Sequence, residues 1–598
     1  MFNYLSKFLY ILAENRSKLI PLLLAFILTS VLETVGIGLI GPFVGLATSP
    51  ESIQHNSFLS SAYKQFGLSS ERQFISLVGL FIVLIFYIKS VLSFRVQSFI
   101  FKFSFNQQAQ LSKKLLHAYL TVPYTFHLKI NSANLIQNII SETDRFSNGI
   151  MIPLLVTTAN IFVLVFLISL LFKTSLVAMV IILIIALVVF IIFQLLKHKV
   201  EQWGKEAYNS YTEMIRVINH SLGGLKETRI IGCEPYFEEQ ISEQAQRFAN
   251  AATSLQSFNI SPRIIIEALL VTFLVGFISI YLIFTNKSSQ DLNSTLGIFA
   301  IASIRILPAI SNSISAINTL KSNSYSLQQL YFDLKELEKV EIKTNLDLGN
   351  FTKDSSISKI ASLKNQIVLN QIAYCYPGAS EPAIKNLSLT INKGQSIAFI
   401  GKSGAGKTTL VDIILGLLTV ESGDITVDGI SIYENLRSWQ NLIGYIPQSI
   451  FLMDDTIEKN IAFGVPEELI DSERMSKAIQ AAQLEELIVQ LPDGIKTTVG
   501  ERGVRLSGGQ RQRIGIARAL YHEREVLVLD EATAALDNET ESLINKAIKS
   551  LSGTKTIIII AHRLTTVEHC DCIYLMEKGR VVKSGSYKEV VLREQTLH

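Results

Sequence analysis

Apolar residues are concentrated in the first half of the chain, in runs long enough to cross a membrane. An α-helix needs about 20 predominantly apolar residues to span the hydrocarbon core of a bilayer. Runs of that kind occur only before about residue 325, at 19–46, 74–103, 150–171, 175–196, 264–284 and 296–316. The pattern predicts an all-α transmembrane domain with six spans over residues 1–325.

The pattern changes near residue 366, where short β-type runs begin to alternate with helix-like segments. This alternation is typical of a layered α/β domain. The stretch between the two regions is polar and mixed, which indicates a helix that continues from the last span and then a linker. The predicted domains are therefore the transmembrane domain 1–325, the linker 326–365 and an α/β domain 366–598.

The loops between the spans differ in length and in charge. The connections from the second to the third span and from the fourth to the fifth are long and helix-like, and they hold most of the basic residues. The excess of Lys and Arg on one side places both termini and both long connections in the cytoplasm. We expect a multi-pass protein of the inner (plasma) membrane with two cytoplasmic helical hairpins, whose turns at 119–126 and 222–231 would contact the cytoplasmic domain. The basic residues of the long connections are Lys113, Lys114, Lys129, Arg145, Lys197, Lys199, Lys205, Arg216, Lys226, Arg229 and Arg247.

Composition agrees with a membrane protein and does not favour nucleic-acid binding. Of the 598 residues, 48% are hydrophobic and only 18% are charged, and the net charge is +3. No long basic run exists that would indicate a nucleic-acid partner. The four cysteines fall in segments predicted to be cytosolic, so we expect reduced thiols.

A glycine-rich phosphate-binding loop follows the first buried strand of the α/β domain. Residues Gly401 to Thr408 match the pattern G-x-x-x-x-G-K-[ST], preceded by a strand-like run and followed by a helix. Backbone N–H groups of such a loop wrap a triphosphate, and the helix N-terminus adds partial positive charge. Lys407 is expected to reach the β- and γ-phosphates and Thr408 to bind Mg²⁺. The candidate ATP-binding residues here are Gly401, Lys402, Ser403, Gly404, Ala405, Gly406, Lys407, Thr408 and Thr409.

A second strand-like run, Val526 to Asp530, ends in an acid, and a second acid follows it. Asp530 is placed to support Mg²⁺. Glu531 follows at the C-terminal edge of the strand, where α/β sheets build their sites. A carboxylate there can polarise an attacking water, so Glu531 is the candidate catalytic base.

A second anion-binding turn is predicted at Leu506-Ser507-Gly508-Gly509-Gln510, directly before a helical segment. Taken alone, Ser507, Gly508 and Gly509 would be read as an ordinary helix cap. Beside a phosphate-binding loop, the segment LSGGQ resembles the signature of the ATP-binding-cassette (ABC) family, and the resemblance covers essentially the whole chain.

The resemblance implies roles for further residues. Tyr376 matches the aromatic residue that stacks on adenine, and Gln448 matches the glutamine that touches Mg²⁺ and contacts the membrane domain. Asp537 matches a loop that communicates between sites, and His562 matches the switch histidine at the γ-phosphate. The implied catalytic set is Glu531, His562 and Gln448, with Ser507, Gly508, Gly509, Gln510 and Asp537 at the nucleotide and Thr408, Gln448 and Asp530 at the metal.

The same resemblance implies an exporter that works as a dimer. Six spans fused ahead of one cassette, and the segment Thr498 to Gly503 before the signature, resemble the exporter type. In this family the signature of one cassette closes on the phosphate loop of another, so each chain supplies half-sites. A homodimer is favoured, with a heterodimer as the alternative, and alternating access driven by ATP is the implied mechanism.

Charged residues inside spans are candidates for a substrate cavity, because burying them in a membrane is costly. The alternative is that they pair with one another or reach the interface. A cationic cavity would suit an anionic cargo such as a pyrophosphate head group. The candidates are Glu33, Lys89, Arg95, Arg263, Glu267 and Arg305.

Several of these charges lie in segments that resemble bacterial flippases for lipid-linked oligosaccharides. The segments surround Glu33, Arg263 and Arg305, while the span-two arginine of that group is replaced by Ser90 or displaced to Lys89. The favoured cargo is a lipid-linked saccharide or a related polysaccharide precursor. The expected partners are the membrane lipid and this amphipathic or lipid-linked cargo. The alternatives are a multidrug, lipid or peptide exporter and, in another class, an ATP-gated channel or regulator.

Overall fold

The computed structural model describes residues 2–48, 63, 65, 70–174, 176–284, 289–349, 360, 362–531, 538–561 and 563–592. The chain forms two compact units. The helical unit comprises Met1–Thr121 and Ile130–Lys339, and the α/β unit comprises Val340–His598 together with the short segment Val122–Lys129.

The first eleven α-helices among the described residues are numbered in chain order. Ten of them begin in the helical unit, and α4 lies in segment Val122–Lys129 of the α/β unit. A 3₁₀ helix, Ala13–Lys18, joins the first two, and π-helical turns at Asn138–Glu142 and Arg145–Met151 lead into the sixth. The helices are α1 Phe2–Leu12, α2 Leu19–Thr48, α3 Glu71–Thr121, α4 Tyr124–His127, α5 Ser132–Gln137, α6 Ile152–Thr174, α7 Leu176–Gly223, α8 Leu225–Ile231, α9 Glu234–Phe284, α10 Ser289–Ser322 and α11 Ser324–Gly349.

Three of these helices, α3, α7 and α9, are far longer than the hydrocarbon core of a membrane is thick. Helices α3 and α9 have 51 residues each, which corresponds to roughly 75 Å, against about 30 Å of hydrocarbon. Their apolar stretches lie at opposite ends, at the start of α3 and at the end of α9. The polar remainder continues the same hydrogen-bonded ladder, which accounts for the helix-like sequence of the two long connections.

The described residues support fewer spans than the sequence predicts. Three segments are long and apolar enough to cross a membrane, namely Asn15–Ile40, Glu71–Thr121 and Arg145–Lys173. A fourth qualifies if Ile182–Leu196 and His198–Gly223, bent by 50°, are taken as one span. Helices α9 and α10 cover the last two predicted spans, but the predicted count of six is not confirmed.

The α/β unit is built on two sheets. A four-stranded antiparallel sheet has the order β2-β1-β4-β5, and a six-stranded sheet has the order β10-β9-β3-β8-β7-β6, in which only β10 runs antiparallel. The strands are β1 Gln366–Tyr374, β2 Ile384–Asn392, β3 Ser396–Ile400, β4 Ser422–Val427, β5 Ile430–Ser431, β6 Ile443–Ile446, β7 Val526–Asp530, β8 Thr556–Ile560, β9 Cys572–Glu577 and β10 Arg580–Gly585.

Strands β3, β7 and β8 form the centre of the larger sheet, and every residue in them is buried. Such continuous apolar runs are expected where helices cover both faces of a parallel sheet. The helices of this unit are α12 Lys407–Ile414, α13 Leu436–Gln440, α14 Ile457–Ile461, α15 Ser472–Ala481, α16 Glu485–Gln490, α17 Gly508–Tyr521 and α18 Asn538–Leu551. Because neighbouring parallel strands end at the same edge, Gly401 after β3 and Glu531 after β7 come to one side of the sheet.

Candidate functional site

The phosphate-binding loop between β3 and α12 has the backbone conformation that its glycines predict. Gly401, Gly404 and Gly406 have φ of 147°, 78° and 100°, a region that residues with a Cβ adopt at a cost. Space excludes a side chain at two of them as well: a Cβ on Gly401 would lie 2.3 Å from the Met576 carbonyl oxygen. On Gly406 it would lie 2.9 Å from that of Ala383.

The side chain of Lys407 lies folded across this loop. Its Nζ donates hydrogen bonds to the carbonyl oxygens of Gly401 at 2.7 Å and Lys402 at 3.2 Å. Burial lowers the pKa of Lys407, and the nearby carboxylates of Glu531 and Asp530 oppose that shift. The loop therefore presents a buried ammonium group at the first residue of helix α12, next to two acids.

The acids that end β7 are held by side chains from the neighbouring strand β6 and the turn after it. Gln448 Nε2 donates to Glu531 Oε2 at 2.7 Å, and the Tyr445 hydroxyl donates to Asp530 Oδ2 at 3.4 Å. Asp530 is buried, and Glu531 is half-buried with a positive φ of 49°. The carboxylate of Glu531 is thus fixed at the sheet edge where it can polarise a water.

A third carboxyl group extends this acidic cluster. Burial and the charge of Asp530 raise the pKa of Asp412 to about 6. Asp412 lies on α12, one turn after Thr408, so it shares the helix that begins at the loop. Sequence reasoning missed Asp412 and Tyr445. Two positions in the sequence could have indicated them. Asp412 lies one turn into the helix that follows the phosphate loop, and Tyr445 lies three residues before Gln448.

Tyr376 lies against the beginning of α12. Its hydroxyl is 3.1 Å from Thr409 Oγ1, and its ring meets that of Tyr374 edge-on with the ring centres 5.1 Å apart. The ring is half-buried, so part of it remains open for contact. This hydrogen bond ties the candidate adenine-stacking residue directly to the phosphate-binding helix.

The predicted second anion-binding turn begins helix α17. The Ser507 hydroxyl accepts from the Gln510 backbone N–H at 3.2 Å, and the Gln510 side chain accepts from the Ser507 N–H at 2.8 Å. This reciprocal capping box fixes the start of the helix. Ser507 and Gly508 are exposed, while Gly509 is buried. Asp537 and His562 lie outside the described residues.

The charged candidates of the membrane segments do not form one cluster. Glu33 on α2 and Lys89 on α3 are buried and form an ion pair at 3.3 Å. For these two residues the structure shows the alternative in which charges inside the spans pair with one another. Arg95 on α3, and Arg263 and Glu267 on α9, are exposed on their helices. The side chain of Arg305 lies outside the described residues.

Two family models match this chain. The family model described as the ABC transporter transmembrane region matches residues 19–305, and the model described as ABC transporter matches residues 384–534.

Several relatives carry the name ATP-dependent lipid A-core flippase. The one from Pseudoalteromonas translucida is 31% identical over 493 residues, 81% of each chain. The one from Shewanella oneidensis is 26% identical over 575 residues, 94% of this chain and 92% of its own length. A solved bacterial Atm1-family ABC exporter with ATP bound has the same fold, with a TM-score of 0.67, 20% identity and 98% of both chains covered.

The chain belongs to the ABC transporter family, with its transmembrane and nucleotide-binding domains fused in one polypeptide. The predicted order of an exporter-type membrane domain followed by an α/β P-loop domain is confirmed. The predictions of a multi-pass membrane protein, of an ATP-binding domain and of an ATPase of the translocase type are confirmed as well.

Proposed function

We propose that this protein uses ATP hydrolysis to flip a lipid-linked saccharide from the cytoplasmic to the outer face of the inner membrane. The observation that carries the ATP-driven part is Glu531, held by Gln448 at 2.7 Å on the same sheet edge as the phosphate loop. The cargo is supported by the relatives named lipid A-core flippases, which match over most of the chain.

In this proposal the loop Gly401–Thr409 and Lys407 bind the triphosphate, and Tyr376 stacks on adenine. Lys407 now bonds to loop carbonyls, so it would exchange those bonds for phosphate oxygens. Glu531 polarises the attacking water, with His562 at the γ-phosphate.

Mg²⁺ fits the oxygen groups at this edge of the sheet. The hydroxyl of Thr408, the amide of Gln448 and the carboxylate of Asp530 offer the hard oxygen ligands that this cation prefers. When bound, Mg²⁺ would neutralise charge on the phosphates. The buried Asp530 already has Tyr445 as a donor, which would hold its carboxylate in position.

The proposed active form is a dimer. The exposed Ser507 and Gly508 at the start of α17 would meet the phosphate loop of a second chain, together with Gln510 and Asp537. We favour a homodimer, because Lys407 and Glu531 are both present and one chain could serve in both halves. A membrane domain of six spans, with both termini in the cytoplasm, completes the proposed arrangement.

The experiment that tests the cargo class is ATPase stimulation in the reconstituted full-length protein. We expect lipid A or another polyprenyl- or acyl-linked phosphosaccharide to raise the ATP hydrolysis rate, while hydrophobic drugs and peptides do not. Stimulation by drugs alone would identify a multidrug exporter. ATP-dependent ion conductance without a stimulated rate would identify a channel.

A further inference from the structure

A cavity of about 500 Å³ lies among the helices of the helical unit. Its walls come from the π-helical turn before α6 and from α7, α9, α10 and α11. The lining is dominated by hydroxyl, amide and aromatic side chains, and Arg145 is the one charged residue among the described residues that line it. The polar and aromatic part of the lining includes Arg145, Tyr208, Gln256, Asn259, Thr319 and Tyr325.

Arg145 is held in a fixed orientation. Its guanidinium lies over the rings of Tyr208 and Tyr211, 4.6 Å and 5.4 Å from their centres. Its Nη1 donates to Glu142 Oε1 at 3.4 Å, and the fully buried Glu142 also accepts a hydrogen bond from Ser326. These contacts orient the planar group before any ligand arrives, which reduces the entropy that binding would cost.

Most of the hydrogen-bonding capacity of Arg145 is still available. A guanidinium has about five N–H donors in a planar fork. Glu142 is the only hydrogen-bond acceptor that the described part of the chain offers it, at the long distance of 3.4 Å. Such a fork matches the oxygens of a phosphate, which it binds through two parallel hydrogen bonds.

The rest of the lining suits a sugar. Gln256 and Asn259, one turn apart on α9, present amide groups that both donate and accept. The Thr319 hydroxyl donates to the Ser315 carbonyl at 3.0 Å, which leaves its oxygen free to accept from a ligand. Tyr208 and Tyr325 meet edge to face at 4.9 Å and give the cavity an aromatic wall.

Two glycines let the helices around the cavity approach closely. A Cβ on Gly204 of α7 would lie 2.5 Å from the Ser322 carbonyl oxygen, and one on Gly149 would lie 2.6 Å from the Asn323 side chain. Arg145 is also the first residue of the apolar segment Arg145–Lys173. The cavity therefore lies at the end of a candidate membrane span.

We propose that this cavity binds the phosphorylated sugar head group of the cargo before translocation, with Arg145 on the phosphate and Gln256 and Asn259 on sugar hydroxyls. This inference rests on the proposed function. It assigns the binding of the anionic head group to Arg145 and not to the charged residues inside the predicted spans. The shared chemistry is a sugar phosphate, which a lipid-linked saccharide and a soluble sugar phosphate both present.

The chain supplies an internal probe for the test. It has two tryptophans, of which Trp439 is fully buried in the α/β unit, while Trp203 precedes Gly204 of the cavity and packs against Phe258. Tryptophan fluorescence of the full-length protein in phosphatidylcholine nanodiscs would be titrated with lipid A, with dephosphorylated lipid A and with glucosamine 1-phosphate. Trp203→Phe should remove the signal and so assign it to the cavity.

We expect Arg145→Gln to weaken lipid A binding about tenfold to a hundredfold and to abolish the preference over the dephosphorylated lipid. Asn259→Ala leaves the ion pair between Arg145 and Glu142 intact. It should weaken the binding of lipid A and of dephosphorylated lipid A by the same factor, because it removes a contact to sugar hydroxyls that both lipids have. Arg216→Gln is the matched control, because Arg216 pairs with Glu213 in the same i, i+3 geometry on the exposed face of α7, and it should bind as wild type.

The outcomes separate this inference from the proposed function. Wild-type affinity in both Arg145→Gln and Asn259→Ala, with lipid A still binding, overturns the cavity assignment and leaves the cargo standing. Absence of any response to lipid A in the wild type, in fluorescence and in ATPase rate, overturns the cargo itself. Tighter binding of lipid A than of glucosamine 1-phosphate supports the lipid-linked source, and equal affinity overturns that source.

Discussion

The backbone of Glu531 has an uncommon conformation for a residue with a side chain. Its φ of 49° lies in the left-handed region, and its N–H donates to the Ile560 carbonyl of the neighbouring strand β8 at 3.0 Å. Such a conformation costs about 1–3 kcal/mol and persists where the surroundings impose it. Here it turns the carboxylate of Glu531 towards Gln448 at the open edge of the sheet.

Replacing Glu531 by Gln tests its assignment as the catalytic base. The amide keeps the size and the contact with Gln448 but cannot polarise water as a carboxylate does. ATP binding should persist, while steady-state hydrolysis falls by about 10²- to 10⁴-fold. Glu577→Gln, at an exposed strand end, serves as control. Hydrolysis at the wild-type rate in Glu531→Gln would remove Glu531 from the mechanism.

Two substitutions of Tyr376 separate stacking from hydrogen bonding. Tyr376→Phe loses only the contact with Thr409, so nucleotide affinity should change by no more than about threefold. Tyr376→Ala loses the aromatic face as well, and affinity should fall about tenfold or more. Equilibrium binding of a fluorescent ATP analogue measures both. Equal affinities in the two variants would mean that the ring does not contact adenine.

At the scale of elements, the sequence predicted those parts that depend on local pattern. The apolar run before Asp530 forms the buried strand β7, and the run before Gly401 forms the buried strand β3. Such strands can be predicted because the pattern of apolar residues and the flanking turn residues are local properties of the sequence. Helices α3 and α9 are longer than the spans predicted within them. Their backbone hydrogen bonds continue the helix beyond the last apolar residues of the span.

What the sequence could not predict depends on contacts between distant segments. In the sequence Arg145 is only one basic residue of a long connection, because its cavity needs side chains from α7, α9 and α10. Tyr445 carries no motif of its own, and its bond to Asp530 follows from the parallel pairing of β6 with β7. Glu33 and Lys89 each looked like a cavity group, and only the packing of α2 on α3 pairs them.

The Glu33–Lys89 pair gives a stability prediction for the contact of α2 with α3. Lys89→Leu leaves a buried carboxylate without this partner and should lower the unfolding temperature in detergent, since breaking a buried pair costs about 3–5 kcal/mol. The double substitution Glu33→Leu with Lys89→Leu should recover most of that loss. Lys114→Leu, which breaks an exposed pair with Glu338, should change little. If the double variant is no more stable than Lys89→Leu, the pair does not hold these helices together.

At the scale of the whole molecule, the dimer can be tested by mixing two inactive chains. Lys407→Ala disables the phosphate loop and Ser507→Arg blocks the signature, so each variant alone should trap no ATP. A mixed dimer contains one intact composite site, and random pairing should restore about a quarter of the wild-type sites. Trapping of labelled ATP with vanadate counts them. No recovery on mixing would show that loop and signature do not meet across two chains.

Lipid translocation in proteoliposomes whose ATP-binding domains face outwards tests ATP-driven flipping directly. A fluorescently labelled lipid A in the outer leaflet would be followed by its loss of accessibility to a membrane-impermeant quencher. Hydrolysable ATP should move the label to the inner leaflet, and a non-hydrolysable analogue or Glu531→Gln should not sustain that movement. Movement at the same rate without ATP, or ATP consumption with no movement of the label, would contradict ATP-driven flipping of this lipid.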